Sequence, residues 1–460
     1  MSHDGLARAQ QVMTDAGVHP TAIQVFSHYY EELEGGATGV ILEDSIRPLT
    51  DPPSLEAADI DEETAREALG RTVVIKLNGG LGTSMGMSKA KTLLPVRDGK
   101  SFLDIVVQQV LAARERYGVR LPLLLMDSFS TQADTLAALE GHPELAVDDL
   151  PLDFLQSQEP KLRTDDLTPV EWPDDPQLEW CPPGHGDLYP SLLSSGILKA
   201  LLDKGFRYAT VSNGDNLGAS PDARLAGWFA SSGAPYAAEV CQRTAMDRKG
   251  GHLAVRKEDG QLILRDTAQT ADDEMDHFTD EHRHPFFHTN NLWLDLQRLH
   301  DELVARDGVL GLPLIRNVKT VDPKDADSPE VYQIESAMGA AVEVFEGAQA
   351  IEVPRSRFLP VKTTNELMLL RSDVYDLRED GTLVMQVDKA PVISLDSRHF
   401  KRIGDFEQRV PGDVPSLRDA TSLTVEGDWS FGDDVVVKGA VTLPDEGEPR
   451  RVEDGAVLQG

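Results

Sequence analysis

Cysteine is almost missing from this chain: Cys181 and Cys241 are the only two in 460 residues, far apart, with no CxxC spacing and no Cys/His cluster. That excludes a disulfide-held or zinc-held fold, and both thiols are expected to stay reduced. Long apolar runs are missing too. There is no stretch of about eighteen apolar residues, and MSHDGLARAQ has neither the basic nor the apolar region of a signal peptide, so the expectation is a cytoplasmic protein without a membrane span. Positive charge is scarce, with 44 Lys and Arg against 78 Asp and Glu and a net charge of −34. Such a field repels nucleic acid and anionic membranes. An anionic small substrate must be drawn in by local cations and metal, which is feasible because the field is screened beyond about 8 Å at physiological salt.

What is present begins with VVIK (Val73 to Lys76), a short β-branched run that reads as a buried strand, followed by LNGGLGTSMGMSKAK (Leu77 to Lys91). Glycines at Gly79, Gly80, Gly82 and Gly86 are expected to take φ > 0 and turn backbone N–H groups toward phosphate. Neither GxGxxG nor GxxxxGK[ST] fits, so this is neither the dinucleotide fingerprint nor the Walker loop. Lys91, nine residues after Gly82, is placed to reach back over phosphates. By itself the stretch is either a nucleotide loop or a tight turn.

A chain of this length implies about two or three domains. Residues 6–33 carry apolar positions at helical spacing, closed by Gly35-Gly36, and DEETAREALG reads as a short helix leading into the strand. After the glycine loop, FLDIVVQQVLAARERYG predicts a helix, LPLLLMDS a strand and 131–139 a helix. Strands alternating with helices imply a parallel sheet that binds ligands at the carboxyl ends of its strands. A polar, proline-rich insertion over 151–183 leads to a tight turn at Gly184, His185 and Gly186, suited to holding a planar base, although His185 also reads as a loop histidine without a role. Residues 188–202 are expected as one helix.

Tyr208 to Ser212 reads as the next strand, which puts Asn213, Asp215 and Asn216 on the ligand side. Asp215 there suits Mg²⁺, which takes one or two acids and shares its other positions with phosphate and water, or it caps a turn. HLAVRKEDGQLILR predicts a hairpin turning at 258–260. Asn290 and Asn291 suit sugar hydroxyls or a plain turn. VYQIESAMGAAVEVF is expected to be helical, and Lys362 stands just before a helix starting near Thr364, where an anion would sit well. In the tail, Leu423, Trp429, Val435 and Val441 recur every six residues, as do Val425, Phe431, Val437 and Leu443. Those hexads fit coils of a parallel β-helix, or a plain antiparallel tail.

The strings KLNGGLGTSMG, AKT, PPGHGDLYPSL, SNGDNLGA, KGG at 249–251, TNNLW and RSRFLPVKTTNEL, in this order, resemble the eukaryotic-type UTP:glucose-1-phosphate uridylyltransferases (UDP-glucose pyrophosphorylases). The GxGTR loop of the shorter bacterial enzymes is missing. The resemblance implies an α/β fold: a Rossmann-like nucleotidyltransferase domain with a central mixed sheet over 71–385, a helical flank over 1–70 and a C-terminal left-handed parallel β-helix over 386–460. It implies UTP and glucose 1-phosphate as substrates and Mg²⁺ as cofactor, with the main chain of Leu77, Asn78, Gly79 and Gly80 against uridine. Gln156 and Gly184 would read uracil, and His185 would lie near the nucleotide and sugar phosphate. Lys91 and Lys362 would hold phosphates, Asp215 the metal, and Asn213 beside it would bind substrate. Gly251, Asp266 and Asn290 would line the sugar site. Departures from the family pattern fall at Ser88, Lys89, Gly214, His288 and Asp266, the last where a longer Glu is usual. Two other readings stand beside this one: a relative acting on N-acetylglucosamine 1-phosphate or several sugar 1-phosphates, and a nucleotide-sugar-binding regulator without chemistry. Exposed β-helix coils can pair between subunits, which leaves a homo-oligomer open, although the sequence does not give the oligomeric state.

Overall fold

The structure, a computed structural model, describes residues 3–244 and 247–460. Its centre is a seven-stranded mixed sheet of β1 (Thr72–Leu77), β2 (Leu123–Asp127), β3 (Asp153–Leu155), β4 (Tyr208–Asn213), β5 (Tyr236–Gln242), β6 (Phe286–Asp295) and β7 (Gln349–Glu352). The spatial order is β7-β5-β6-β4-β1-β2-β3. Only β6 runs against its neighbours.

Alternation along β1 sends Val74 into one apolar cluster, with Leu123, Leu125 and Trp293, and Val73 and Ile75 into the other, with Leu124, Met126 and Val211. A strand covered on both faces therefore needs the continuous apolar run seen in its sequence. Each fully buried aliphatic side chain contributes about 1.5–3 kcal/mol. The helix Phe102–Tyr117 behind the glycine loop starts at a capping box of Ser101 and Asp104 and stops at Gly118, whose φ is 63°. Helices His3–Asp15 and Pro20–Glu34 open the N-terminal flank, Ile46–Pro48 pairs with His252–Arg256, and a further helix, Glu62–Gly70, leads into β1.

Three expectations change. The single helix over 188–202 is two, Leu188–Ser194 and Ile197–Asp203, because Gly196 between them takes φ 76°. The helix expected over 331–345 is a strand, Glu330–Glu335, followed by a 3-10 turn, Met338–Glu343. Val331 and Ile334 are buried there while the strand pairs with Ile315–Thr320, a tertiary partner that sequence spacing does not reveal. The insertion after residue 151 also supplies β3, the edge of the central sheet.

In the tail, Val392–Leu395, Ser416–Val425, Val436–Leu443 and Val457–Gln459 form one parallel sheet, and Trp429–Phe431 pairs in parallel with Arg450–Val452. Leu423 lies opposite Val441 and Val425 opposite Leu443, in each case eighteen residues or three hexads apart. No helix among the described residues is long and apolar enough to cross a membrane.

Candidate active site

The carboxyl ends of β1 and β4 are neighbours. Leu77 stands opposite Asn213, and the Gly214 N–H donates to the Leu77 carbonyl at 2.9 Å. Above them opens a cleft of about 480 Å³, lined by Leu77, Asn78, Gly79, Gly80, Lys91, Gln156, Gly184, His185, Asn213 and Asp215.

The glycine loop does its work differently from the expectation. Only Gly82 (φ 64°) and Gly86 (φ 73°) are left-handed; Gly79 and Gly80 are not. Gly79 is small for another reason: a Cβ there would sit 2.8 Å from Gln156 Nε2, so the glutamine amide lies directly on this main chain. The Asn78 side chain is buried and turned away from the cleft. Its Nδ2 donates to Asp127 Oδ1 at 2.7 Å and Thr135 Oγ1 at 2.9 Å, and its Oδ1 accepts from the Thr92 hydroxyl. Asp127 is fully enclosed, and burial pushes its carboxyl up to about 6 against the hydrogen bonds from Thr131, Asn78 and Thr135.

Lys91 is the hub. Its Nζ donates to Asp215 Oδ2 at 2.6 Å and to the Val361 carbonyl, one residue before Lys362. Lys362 is exposed and precedes Thr363, which caps the helix Thr364–Arg371 in a capping box with Glu366. Lys91, Asp215 and the segment that carries Lys362 thus meet at one rim.

Gly184, also in the lining, has φ 78°, and a Cβ there would lie 2.6 Å from the Ser336 carbonyl. The turn is stitched to that segment by Gly186 N–H to Ser336 O at 2.8 Å and Met338 N–H to His185 Nδ1 at 2.9 Å. His185 therefore carries its proton on Nε2, and the protein packed around it holds its pKa below the usual value, with Asp266 opposing. Buried Asp187 joins turn and glutamine loop, accepting from Ser157 N–H at 2.6 Å and Ser191 Oγ at 2.7 Å.

The expected sugar residues flank this lining. Because β6 runs backward, its early residues arrive at the carboxyl edge of β4, and Asn290 Nδ2 donates to Asn213 Oδ1 at 3.1 Å. Asn290 itself takes φ 62°. Its N–H donates to His288 Nδ1 at 3.1 Å, and the His288 N–H donates to the Gly251 carbonyl at 2.8 Å. Burial and the neighbouring His185 hold His288 down at about 4, so it is neutral. A Cβ on Gly251 would lie 3.0 Å from Asp266 Oδ2, while Asp266 Oδ1 accepts from Thr267 N–H at 2.6 Å, capping its own turn. Asn216 and Asn291 point inward, both 1% exposed. Asn216 Nδ2 donates to Asn291 Oδ1 at 3.1 Å and to the Arg357 carbonyl at 3.2 Å, and Asn291 Nδ2 to Glu239 Oε2 at 3.1 Å. Arg357 clasps Glu239 with bonds of 2.7 and 2.8 Å. Burial opposes ionisation of Glu239, yet Arg357, Trp293 and Asn291 together hold its carboxyl below the usual value.

Sequence reasoning missed Asp127, Asp187, Glu239, Arg357 and Lys76, whose partners are distant in the chain. Lys76 and Asp127 alone left a signal, a charge at or next to the end of an apolar strand.

The family described as UTP–glucose-1-phosphate uridylyltransferase matches over residues 23–438. This chain belongs to that family. The UTP–glucose-1-phosphate uridylyltransferase of Solanum tuberosum is 39% identical over 425 residues, 91% of this chain and 84% of that protein. The Saccharomyces cerevisiae relative of the same name is 38% identical over 396 residues, 85% and 77% of the two chains. Among solved structures, a single-site mutant of Leishmania major UDP-glucose pyrophosphorylase in complex with UDP-glucose superposes with a TM-score of 0.91 at 42% identity, covering 99% of this chain and 98% of that one. A Trypanosoma brucei UDP-glucose phosphorylase matches equally well, with TM-score 0.91, 42% identity and the same coverage.

Proposed function

We propose that this protein joins UTP and glucose 1-phosphate into UDP-glucose and pyrophosphate, reversibly. The observation that carries the reading is the convergence of Lys91, Asp215 and the segment of Lys362 at the rim of a cleft also lined by Gln156 and Gly184. A phosphate oxygen of the sugar phosphate forms a bond to the α-phosphorus of UTP in line while the bond from that phosphorus to the β-phosphate oxygen breaks, and pyrophosphate leaves with the electron pair. The nucleophile is already an anion, so no general base is needed. Catalysis rests on alignment and on neutralising charge at the α-phosphate and the leaving group.

Uridine lies on the main chain of residues 77–80, with the Gln156 amide and Gly184 reading the base. Lys91 and Lys362 meet the phosphates, His185 the region between nucleotide and sugar phosphate, and Asn213, Asn290, Gly251 and Asp266 the sugar side. The carboxylate at the cleft's edge is Asp215, with the Asn213 amide beside it. One acid suits Mg²⁺, whose other positions go to phosphate and water. When bound, the ion would neutralise charge on the UTP phosphates. Residues 386–460 are read as a left-handed parallel β-helix and a route to a homo-oligomer, residues 1–70 as a flank of the catalytic domain over 71–385, and the cytoplasm as the compartment.

A pyrophosphate-release assay with UTP and a panel of sugar 1-phosphates tests this. Glucose 1-phosphate should turn over fastest. Preference for N-acetylglucosamine 1-phosphate would move the assignment to that substrate, and UDP-glucose binding without turnover would make the protein a regulator.

A further inference from the structure

Lys76, the last residue of β1 but one, is 1% exposed and does not line the cleft. A buried ammonium ordinarily has a carboxylate partner, because desolvating the charge costs several kcal/mol. Lys76 has none in hydrogen-bond reach. Its Nζ donates to Ser212 Oγ at 2.8 Å and to the Ala219 carbonyl at 2.8 Å. Ser212 is the last residue of β4 but one and Ala219 lies just past the turn that follows, so one ammonium grips both ends of the loop carrying Asn213, Asp215 and Asn216. Burial chiefly, with Arg357 adding to it and Glu239 and Asp215 opposing, brings the amine down to about 7. A methionine would fill this volume without that penalty, so packing alone does not explain a lysine.

The rest of the loop is braced from other directions. Gly214 is held by Leu77, Asn216 by Asn291 and Arg357, and the Leu217 carbonyl by Gln109 Nε2 at 2.9 Å. No other side-chain donor among the described residues bridges its two ends. We infer that Lys76 is a positioning residue, which fixes the loop so that Asp215 stands at the triphosphate rather than merely near it. This rests on the reading of Asp215 given above. It assigns a role in phosphate and metal placement to a residue that touches neither substrate.

The test separates placement from stability. Lys76→Met and Ser212→Ala are compared with the native chain and with Asp215→Asn for binding of UMP, and of UTP with Mg²⁺ or with a chelator, by titration calorimetry. UMP lacks the phosphates that the loop serves, so Lys76→Met should keep UMP affinity within about twofold while losing about tenfold of the gain that Mg²⁺ gives to UTP binding, the range typical for residues supporting a metal ligand. Ser212→Ala should move the same way by less, and carries the test should Lys76→Met fail to fold. In steady state kcat should fall about 10- to 100-fold with KM for glucose 1-phosphate little changed. An intact magnesium gain in these variants beside a lost gain in Asp215→Asn overturns the role of Lys76 alone. An intact gain in Asp215→Asn overturns the metal reading, and the clamp's purpose with it.

Discussion

The two halves of the cleft are built on different principles. On the side proposed for uridine the surface is main chain: the turn after β1 with Gln156 lying on Gly79, and the turn at Gly184 zipped to Ser336. On the side proposed for the sugar, the groups that flank the cleft are side chains, Asn290 on a backward-running strand and Asp266 on a capped turn. A main-chain surface is fixed once its glycines and strand ends are fixed. A side-chain surface depends on every neighbour that orients it.

The strongest way to break this comparison is at the hub shared by both halves. Lys91→Ala should lower turnover by about 100- to 1000-fold in a pyrophosphate-release assay while leaving the melting temperature within a few degrees, since the lost group acts on charge that develops in the transition state; near-native turnover would remove Lys91 from the chemistry. Next, Gln156→Ala should reduce the preference for UTP over CTP by about 10- to 100-fold in kcat/KM, because an amide built to pair with one base penalises another. Unchanged discrimination would shift base reading to the main chain alone. On the sugar side the effect should be mixed: Asp266→Ala should raise KM for glucose 1-phosphate severalfold and also lower stability by about 1 kcal/mol through loss of its cap. A thermal shift without any change in KM would leave Asp266 as a brace only.

The smallest effect concerns the uridine half's support. Asp127 is pushed up to about 6, chiefly by burial, so the folded protein keeps a proton that the unfolded chain releases near pH 4. Its contribution to stability is therefore full at low pH and declines as pH rises from about 4 through about 6, by about 1–3 kcal/mol. Asp127→Asn keeps the accepting oxygen for Asn78, Thr131 and Thr135 and should flatten that decline in denaturant titrations across the window; an unaltered slope would assign it to other groups.

Much of the uridine half was legible in the sequence. Short-range signals carry it: the β-branched run of β1, the glycines, the strand ending at Asn213 with Asp215 beyond it, and a lysine just before a capped helix. Even there the reason for a glycine was misread, since Gly79 answers to a contact with Gln156, seventy-seven residues on, rather than to its own φ. The segment at 331–345 was misread for a related cause. Its apolar residues fit a helix as well as a strand, and the choice is made by pairing with Ile315–Thr320. The buried supports, Asp187 under the Gly184 turn and the Glu239–Arg357 pair under Asn291, have no local pattern at all, because each exists only once distant elements have met.

The helix that follows Lys362 meets the tail as well as the sheet. Thr364 Oγ1 donates to the Phe400 carbonyl at 2.7 Å, Asn365 Oδ1 accepts from Leu395 N–H at 3.0 Å, and Asp373 accepts from Ser416 Oγ at 2.7 Å and Leu417 N–H at 2.9 Å. Leu367, Met368 and Leu370 share one apolar cluster with Leu417, Leu423 and Phe431. The parallel strands of the tail are therefore no detachable appendage: amputating them would leave an oily helix face in water and unmoor the stretch that bears Lys362, the lysine proposed to hold phosphate. A shortened chain that proved inactive would report a damaged scaffold, and would say nothing about control exerted by the missing part.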